Sequence, residues 1–551
     1  MLVGSCVMEA SAMADCASLI SRRFPDTEMI KAEPVAKGAL VPPSGAWSPP
    51  LDVFSDLPAL CRVAGIIRPT ADSAIGFELW LPERWNGRYL QTGNGGFAGV
   101  INYLGLVAGL RNGFAVASTD AGHGGETTSL GSPYRESERQ YHADWAMGHS
   151  EKVIDFGYRA VHLTSVVAKQ IVNAHYERNF STAYFSGCSN GGREGLMEAQ
   201  RYPDDFDGWV LGAPANDFTG VMTYMLSIAQ GMSSLEEPIA LSQIDALSQA
   251  ALDHCDASDG VKDGVIEEPL RCSFDPADLQ CSGPTDGRCL SKRQVTALQR
   301  IYDDAKDGQS GIALTPGLRG ARGNETGDWE HWLRSSARSD PPATVMERLS
   351  STFWPFMIYN SPQLDFKTLN LLQAAKQARS QVGVALNSVD PNLSALRASG
   401  KKIIQFHGWA DSIVPAQYSI AYYEAVESYL RRDNRDFYRL FMVPGMRHCG
   451  RGPGPNSFGT PYDARYVGFD PESHVLAALV QWVEKGAAPD RIVATKYEDD
   501  DPAKPVIRRR PLCVYPQVAQ WNRARNNDDA ANFVCAAPKA VSLDPSVLSL
   551  R

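Results

Sequence analysis

The chain has 551 residues, 44% hydrophobic and 21% charged, with a formal net charge of -10. That length exceeds one minimal core and suits a large domain carrying an insertion, or two or three domains. The acidic balance and the lack of a basic stripe argue against nucleic acid as a partner. No run of about 18 uninterrupted apolar residues exists to span a membrane. The opening MLVGSCVMEA lacks the basic and long apolar regions of a secretory leader.

Residues 74–213 alternate between strand-like and helix-like patterns. Short β-rich runs fall at 75–81, 88–91, 114–118, 183–186 and 209–211, while Val153, Phe156, Ala160, Leu163, Val167 and Ile171 recur at helical spacing. This alternation predicts an α/β fold, a mostly parallel sheet covered on both faces. From 215 to 395 the strand pattern fades. Helical pieces at 241–252 and 291–305 alternate with loops rich in Asp, Gly and Pro. This stretch reads as a lid inserted into the core, with 1–214 as the first part of the core and 396–551 as the second. Strands return at 402–406 and 438–443, with a helix over 416–431 between them. The Pro- and Gly-rich segment 450–461 reads as a long loop.

Gly187-Cys188-Ser189-Asn190-Gly191 fits G-x-S-x-G. It follows the strand-like run Ala183-Tyr184-Phe185-Ser186 and precedes a helix from Gly192 to Arg201. A sharp strand-to-helix turn lifts a serine hydroxyl clear of the sheet, and small flanking residues relieve the strained backbone. The bland alternative is a Gly-rich turn with an incidental serine. A serine hydroxyl is a weak nucleophile until a base takes its proton. His407, His448 and His474 follow Ser189. His448 lies in a loop directly after a strand and is the candidate base. His407 ends its strand and reads as structural, and His474 reads as a surface residue in a helical run. Asp411, in the turn after strand 402–406, lies between serine and histidine in the order expected of the acid. Its alternative reading is an N-cap of the helix starting near Pro415. An oxyanion hole needs two backbone N–H donors. Asn190 follows the nucleophile and supplies one. Gly95 and Gly96, in Gly93-Asn94-Gly95-Gly96 after strand 88–91, supply the other.

Eleven cysteines are present, with no CxxC pair and no zinc-finger spacing. Three local pairs, Cys255/Cys272, Cys281/Cys289 and Cys513/Cys535, suggest disulfides closing short loops and an oxidising compartment. Buried free thiols are the alternative. Cys188 precedes the candidate nucleophile and Cys449 follows the candidate base. A bond between them would tie the two loops together and preorganise the pair. The segment Asp256-Ala257-Ser258-Asp259-Gly260-Val261-Lys262-Asp263-Gly264-Val265 crowds three carboxylates into one turn. Both a Ca²⁺ loop and a solvated acidic turn are open readings, and the order is not that of an EF-hand.

Cys188-Ser189, Asp411 and His448-Cys449, with the 93–96 loop, Asp155-Phe156-Gly157-Tyr158-Arg159-Ala160 and His407-Gly408-Trp409-Ala410-Asp411, resemble the signature of the tannase and feruloyl esterase family. That family also includes hydrolases of mono(2-hydroxyethyl) terephthalate. The resemblance covers nearly the whole chain. It implies an α/β-hydrolase core with a large lid, a secreted or periplasmic setting, and a serine carboxylic ester hydrolase acting on small esters of aromatic acids without an organic cofactor. It further implies disulfides Cys16–Cys61, Cys188–Cys449, Cys255–Cys272, Cys281–Cys289 and Cys513–Cys535, leaving Cys6 unpaired. It also implies a structural Ca²⁺ in the lid, held by side chains of Asp256, Asp259 and Asp263 and by carbonyls of Val261 and Val265.

The aromatic run Ser351-Thr352-Phe353-Trp354-Pro355-Phe356-Met357-Ile358-Tyr359 either walls the acyl pocket or forms lid core. Arg334, Arg338 and Arg348 read as solvated charges. Ser412-Ile413-Val414-Pro415 has no aromatic three residues after Asp411, where the terephthalate hydrolase has a Phe, which favours a feruloyl or other phenolic ester over the terephthalate monoester. Alternatives are a serine peptidase or acyltransferase on the same core, and a non-catalytic binding protein on the same fold.

Overall fold

The computed structural model describes residues 16–538, apart from 43–50, 125–138, 307–310, 333–342 and positions 236, 285, 312, 328, 462, 464, 466, 467 and 525. Cys6, Arg334 and Arg338 lie outside the described residues. Nine strands form one sheet: β1 (Thr27–Val35), β2 (Leu60–Ile67), β3 (Ile75–Pro82), β4 (Arg88–Thr92), β5 (Ala115–Thr119), β6 (Thr182–Cys188) and β7 (Gly208–Gly212), followed after the inserted segment by two more. Among the described residues of the insertion, the strands are the short β8 (Ala305–Lys306) and β9 (Ala313–Thr315), which pair with each other. The main sheet then resumes with β10 (Lys402–Gly408) and β11 (Tyr438–Val443), giving the order β1-β2-β3-β5-β4-β6-β7-β10-β11. β1, β2, β3 and β5 pair antiparallel. From β5 through β11 every pairing is parallel.

Alternation along the central strands explains why the sheet is covered on both sides. Ala183 and Phe185 of β6 and Trp209 and Leu211 of β7 join one buried cluster, while Tyr184 and Val210 join the other. Successive strand side chains point to opposite faces, so strands apolar at every position need cover above and below. Helices Ala160–Tyr176 and Asn190–Arg201 lie on one side, and helices Tyr103–Arg111 and Val475–Lys485 on the other.

Between β7 and β10 the chain forms helices Phe218–Ser233, Leu241–Cys255, Lys292–Tyr302, Val345–Thr352 and Leu371–Leu386. Their starts are written locally. Asp217 caps the first, and Ser291 with Gln294 and Thr344 with Glu347 form capping boxes on the third and fourth. The aromatic run at 351–359 becomes a π-helical turn, Phe353–Ile358, with Phe353 and Trp354 fully buried. After β11 come two antiparallel strand pairs: β12 (Arg491–Tyr497) with β13 (Val506–Cys513), and β14 (Val518–Trp521) with β15 (Phe533–Ala536). β1 and β2 were not expected from the sequence.

Candidate active site

Ser189 sits at the sharp turn between β6 and helix Asn190–Arg201, with φ 65° and ψ -124°. A non-glycine residue held there stores strain that the surroundings must enforce. They do so through hydrogen bonds: the Ser189 N–H donates to the Gly212 carbonyl at the end of β7 (2.9 Å), and the Ser189 carbonyl accepts from Ala215 (3.2 Å). The turn is also tight, because a Cβ on Gly187 would lie 2.5 Å from the Gly191 carbonyl oxygen.

Asp411 follows β10 and is buried, with both carboxylate oxygens engaged. Oδ1 accepts the N–H groups of Ile413 and Val414 (2.9 Å each), and Oδ2 faces His448 Nδ1 at 2.7 Å and His407 Nε2 at 3.1 Å. Burial pushes the Asp411 carboxyl up, but the His448 charge and the hydrogen bonds from both imidazoles outweigh this and hold it well below the usual carboxylate range. The N-cap alternative for Asp411 is set aside, since the next helix starts at Gln417 with Ala416 at its cap. His407 is fully buried beneath Asp411, with Nε2 also 3.0 Å from the Val414 carbonyl and Nδ1 2.6 Å from Ser419 Oγ. Its structural reading fits these contacts.

The reading of His474 as a surface residue is corrected. It is buried, its Nδ1 accepts the N–H groups of Leu476 and Ala477 at the start of helix Val475–Lys485, and burial pushes its imidazole down to about 4. A helix start tucked against Phe469 explains the difference.

Ser189 and His448 open into one cavity of about 510 Å³, which Asn190 and Gly96 also line. Gly96 adopts φ 57°, which brings this loop's backbone to the cavity without a Cβ penalty. Gly95 does not line the cavity; its carbonyl accepts the Ala98 N–H. Most of the remaining described wall is apolar: Phe97, Leu104, Phe218, Val221, Met222, Met225, Leu349, Ile413 and Val414, with Trp332 edge-on to His448 at 6.4 Å between ring centroids; Gln140 and Tyr141 add polar atoms. Phe218, Val221, Met222 and Met225 recur at helical spacing, but one apolar helix face does not announce which cavity it walls. The run at 351–359 contributes no lining residue among those described; Phe353 instead stacks behind Phe97 at 6.2 Å. Arg348 lies over the Tyr141 ring, 4.3 Å from its centroid.

Sequence reasoning also missed a buried polar layer behind the serine turn. Arg193 is fully buried and donates to the carbonyls of Phe156 (2.9 Å) and Gly157 (2.8 Å). Those residues lie in the π-helical turn Asp155–Arg159, where widened hydrogen bonding makes carbonyls available. Next to it, burial pushes the Glu194 carboxyl up to about 7.

Comparison with known proteins agrees with this geometry. The family model described as tannase and feruloyl esterase matches residues 61–536. An uncharacterized esterase of Xanthomonas campestris pv. campestris is 37% identical across 98% of this chain and 95% of its own. A probable feruloyl esterase B-2 of Aspergillus flavus is 33% identical across 85% of each chain. The chain belongs to the tannase and feruloyl esterase family. It is a carboxylic ester hydrolase. Feruloyl esterase B from Aspergillus oryzae superposes with TM-score 0.81 at 29% identity, covering 96% of this chain and all of that one. Tannin acyl hydrolase from Aspergillus niger shares the α/β-hydrolase-type fold, with TM-score 0.71 at 22% identity over 98% and 96% of the two chains.

Among its described residues, this tannase and feruloyl esterase family member carries five disulfides: Cys16–Cys61, Cys188–Cys449, Cys255–Cys272, Cys281–Cys289 and Cys513–Cys535. Cys188–Cys449 fastens the serine turn to the His448 loop. The acidic loop lies elsewhere, beside the β12–β13 hairpin. A cavity of about 20 Å³ there is lined by Asp259, Asp263, Val265, Glu267 and Arg510, with prolines and Leu512 behind them, room for one water-sized species. Burial, with the neighbouring carboxylates, pushes Asp259 up to about 6 and Glu267 up to about 8. Crowded carboxylate oxygens around so small a space fit a hard dication. Asp263 also meets Arg510 (2.6 Å) and Arg508 (3.1 Å), and the Asp256 carboxylate accepts the N–H groups of Asp263 and Gly264. Glu267 was missed because it lies outside the dense carboxylate run and reaches the cavity only through the fold. No helix among the described residues is long and apolar enough to cross a membrane.

Proposed function

We propose that this esterase hydrolyses esters of neutral aromatic acids of the feruloyl type, with Ser189 as nucleophile, His448 as base and Asp411 as the acid that orients it. The observation that carries this reading is the cavity. It holds Ser189 and His448 against a largely apolar wall, with no Lys, Arg, Asp or Glu among its described lining residues. A substrate carboxylate would lose its hydration there without a partner. That disfavours the terephthalate monoester. Among the described lining residues, the three hydroxyls of a galloyl group would meet few partners beyond Gln140 and Tyr141. The family and the names of the relatives support a feruloyl-type substrate.

In the proposed course Ser189 Oγ attacks the ester carbonyl carbon as its proton passes to His448 Nε2. Asp411 holds Nδ1 and balances the imidazolium. The Asn190 and Gly96 N–H groups receive the oxyanion. The bond to the alcohol breaks as His448 returns the proton to the leaving oxygen, leaving an acyl group on Ser189. Water then attacks the acyl carbon, giving its proton to His448, and the acid departs as Ser189 regains its own. A serine peptidase or a binding protein is disfavoured by family membership.

We further propose Asp256, Asp259, Asp263, Val261 and Val265 as the calcium loop, with Glu267 at its edge. The ion supplies a structural crosslink there and takes no part in acyl transfer. The five disulfides support a secreted or periplasmic setting.

A hydrolysis panel tests the substrate reading. Methyl ferulate is expected to exceed methyl gallate roughly tenfold in kcat/KM and mono(2-hydroxyethyl) terephthalate by more. Terephthalate monoester as the best substrate would overturn it. Ser189→Ala is expected to lower kcat by several orders of magnitude.

A further inference from the structure

The layer behind the serine turn has a feature that generic packing does not require. Glu194 lies one helical turn beyond Asn190, so the two side chains share a face. It is 1% exposed. Its Oε1 accepts from Asn190 Nδ2 at 2.8 Å, and its Oε2 accepts the backbone N–H of Asn94 at 2.9 Å. One carboxylate therefore grips both segments that carry the candidate oxyanion donors: the residue after the nucleophile, and the 93–96 loop two residues before Gly96. A second link runs beside it, where the Gly191 N–H donates to the Asn94 carbonyl at 2.6 Å.

The network has a fixed direction. Arg193 Nε donates to Asn190 Oδ1 at 2.7 Å, and a guanidinium has only donors. The Asn190 amide must therefore turn its NH₂ toward Glu194. The Asn94 N–H can only donate. Glu194 is left with two donors to satisfy, and only a side chain with two acceptor oxygens does so. A glutamine there would set its own NH₂ against one of them.

We infer that Glu194 is a positioning residue for the oxyanion hole, setting the separation of the Asn190 and Gly96 N–H groups through its two carboxylate oxygens. It touches no reacting atom. Oxyanion stabilisation depends on donors placed within a few tenths of an ångström of where the charge develops, and misplacement by about 1 Å costs about 100-fold. The inference rests on the reading of Ser189 as nucleophile with these two donors.

Glu194→Gln tests it, since it keeps size and burial and removes one acceptor. The expected result is a fall in kcat on methyl ferulate of roughly 10- to 100-fold with KM within about threefold. An aryl trifluoromethyl ketone, whose Ser189 adduct carries an oxyanion, is expected to lose affinity in parallel with kcat/KM. Competitive inhibition by free ferulate is expected to stay at the parental value. A parental kcat overturns the inference, and so does an equal loss of affinity for ketone and ferulate, which a general loosening of the pocket would give. If Glu194→Gln does not fold, Asn190→Ala decides. It keeps the Asn190 backbone N–H and cuts its link to Glu194, so kcat and ketone affinity should fall while ferulate inhibition holds; parental kcat sinks the idea. Ser189→Ala run alongside separates the two layers. Its retaining activity removes the nucleophile reading beneath the inference, whereas an inactive Ser189→Ala beside a fully active Glu194→Gln removes the inference alone.

Discussion

The candidate site has two sides of different origin. The reactive side is made of strand ends: Ser189 after β6, Asp411 after β10 and His448 after β11, which are near neighbours in the parallel part of the main sheet. The binding side comes largely from the segment between β7 and β10, through Phe218, Val221, Met222, Met225 and Leu349. Reactive groups need fixed geometry, and a sheet crossed by a disulfide supplies it. An acyl pocket needs only apolar surface of the right shape, which a variable insertion can provide. Changes on the sheet side should therefore act on kcat, and changes on the insertion side on KM or on stability.

The largest expected effect is on the sheet side. Asp411→Asn should lower kcat about 10,000-fold, as loss of the orienting carboxylate does in such triads. It should also alter acid stability. The folded-state carboxyl is held below the unfolded value of about 3.9, so its stabilisation is present above that value and is lost as pH falls through the folded one. The gap in Tm between parent and variant should be widest near neutrality and narrow below about pH 4. A gap unchanged from pH 7 to pH 3 would contradict this.

Next come the disulfides, which separate stability from geometry. Replacing Cys188 and Cys449 together by Ser opens a 261-residue closure, with a chain-entropy cost of at most about 5 kcal/mol. Replacing Cys513 and Cys535 opens 22 residues, at about 3 kcal/mol. Both should lower Tm, but only the first should lower kcat at 25 °C, by about tenfold or more. Equal kcat in the two variants would break the contrast.

Smaller effects are expected from the insertion. Met222→Ala should raise KM for methyl ferulate by roughly tenfold and change kcat by less than about threefold, as steady-state kinetics on the soluble variant would read. Removing divalent cations with a chelator should lower Tm by several degrees and leave kcat/KM at 25 °C unchanged, with Ca²⁺ restoring the Tm. A Tm indifferent to chelator and Ca²⁺ would dispose of the calcium loop.

The parallel half of the sheet was legible because its strands are short apolar runs separated by helical patterns. β11 falls at the residues expected, and β4, β6, β7 and β10 extend one or two residues past them. β1 was not, since its exposed and half-buried residues alternate without a strong apolar face and Pro34 interrupts it. His474 was misplaced because burial of a helix start depends on chain that packs over it from elsewhere. Arg193 and Glu194 read as ordinary polar helix residues, since nothing in the local pattern says that the π-helical turn at Asp155–Arg159 and the 93–96 loop will enclose them.

Chain order, turn chemistry and position after strands singled out Ser189, Asp411 and His448, because a strand-to-helix turn and a loop after a strand are written in neighbouring residues. The sequence also placed Cys188 and Cys449 beside them. Only the tertiary structure put the Asp411 carboxylate between two imidazoles, aimed the Phe218–Ser233 helix at the serine, and fixed both oxyanion segments to one buried glutamate. Each of these is a contact between segments far apart in the chain, decided by how helices and loops pack over the sheet rather than by any local preference.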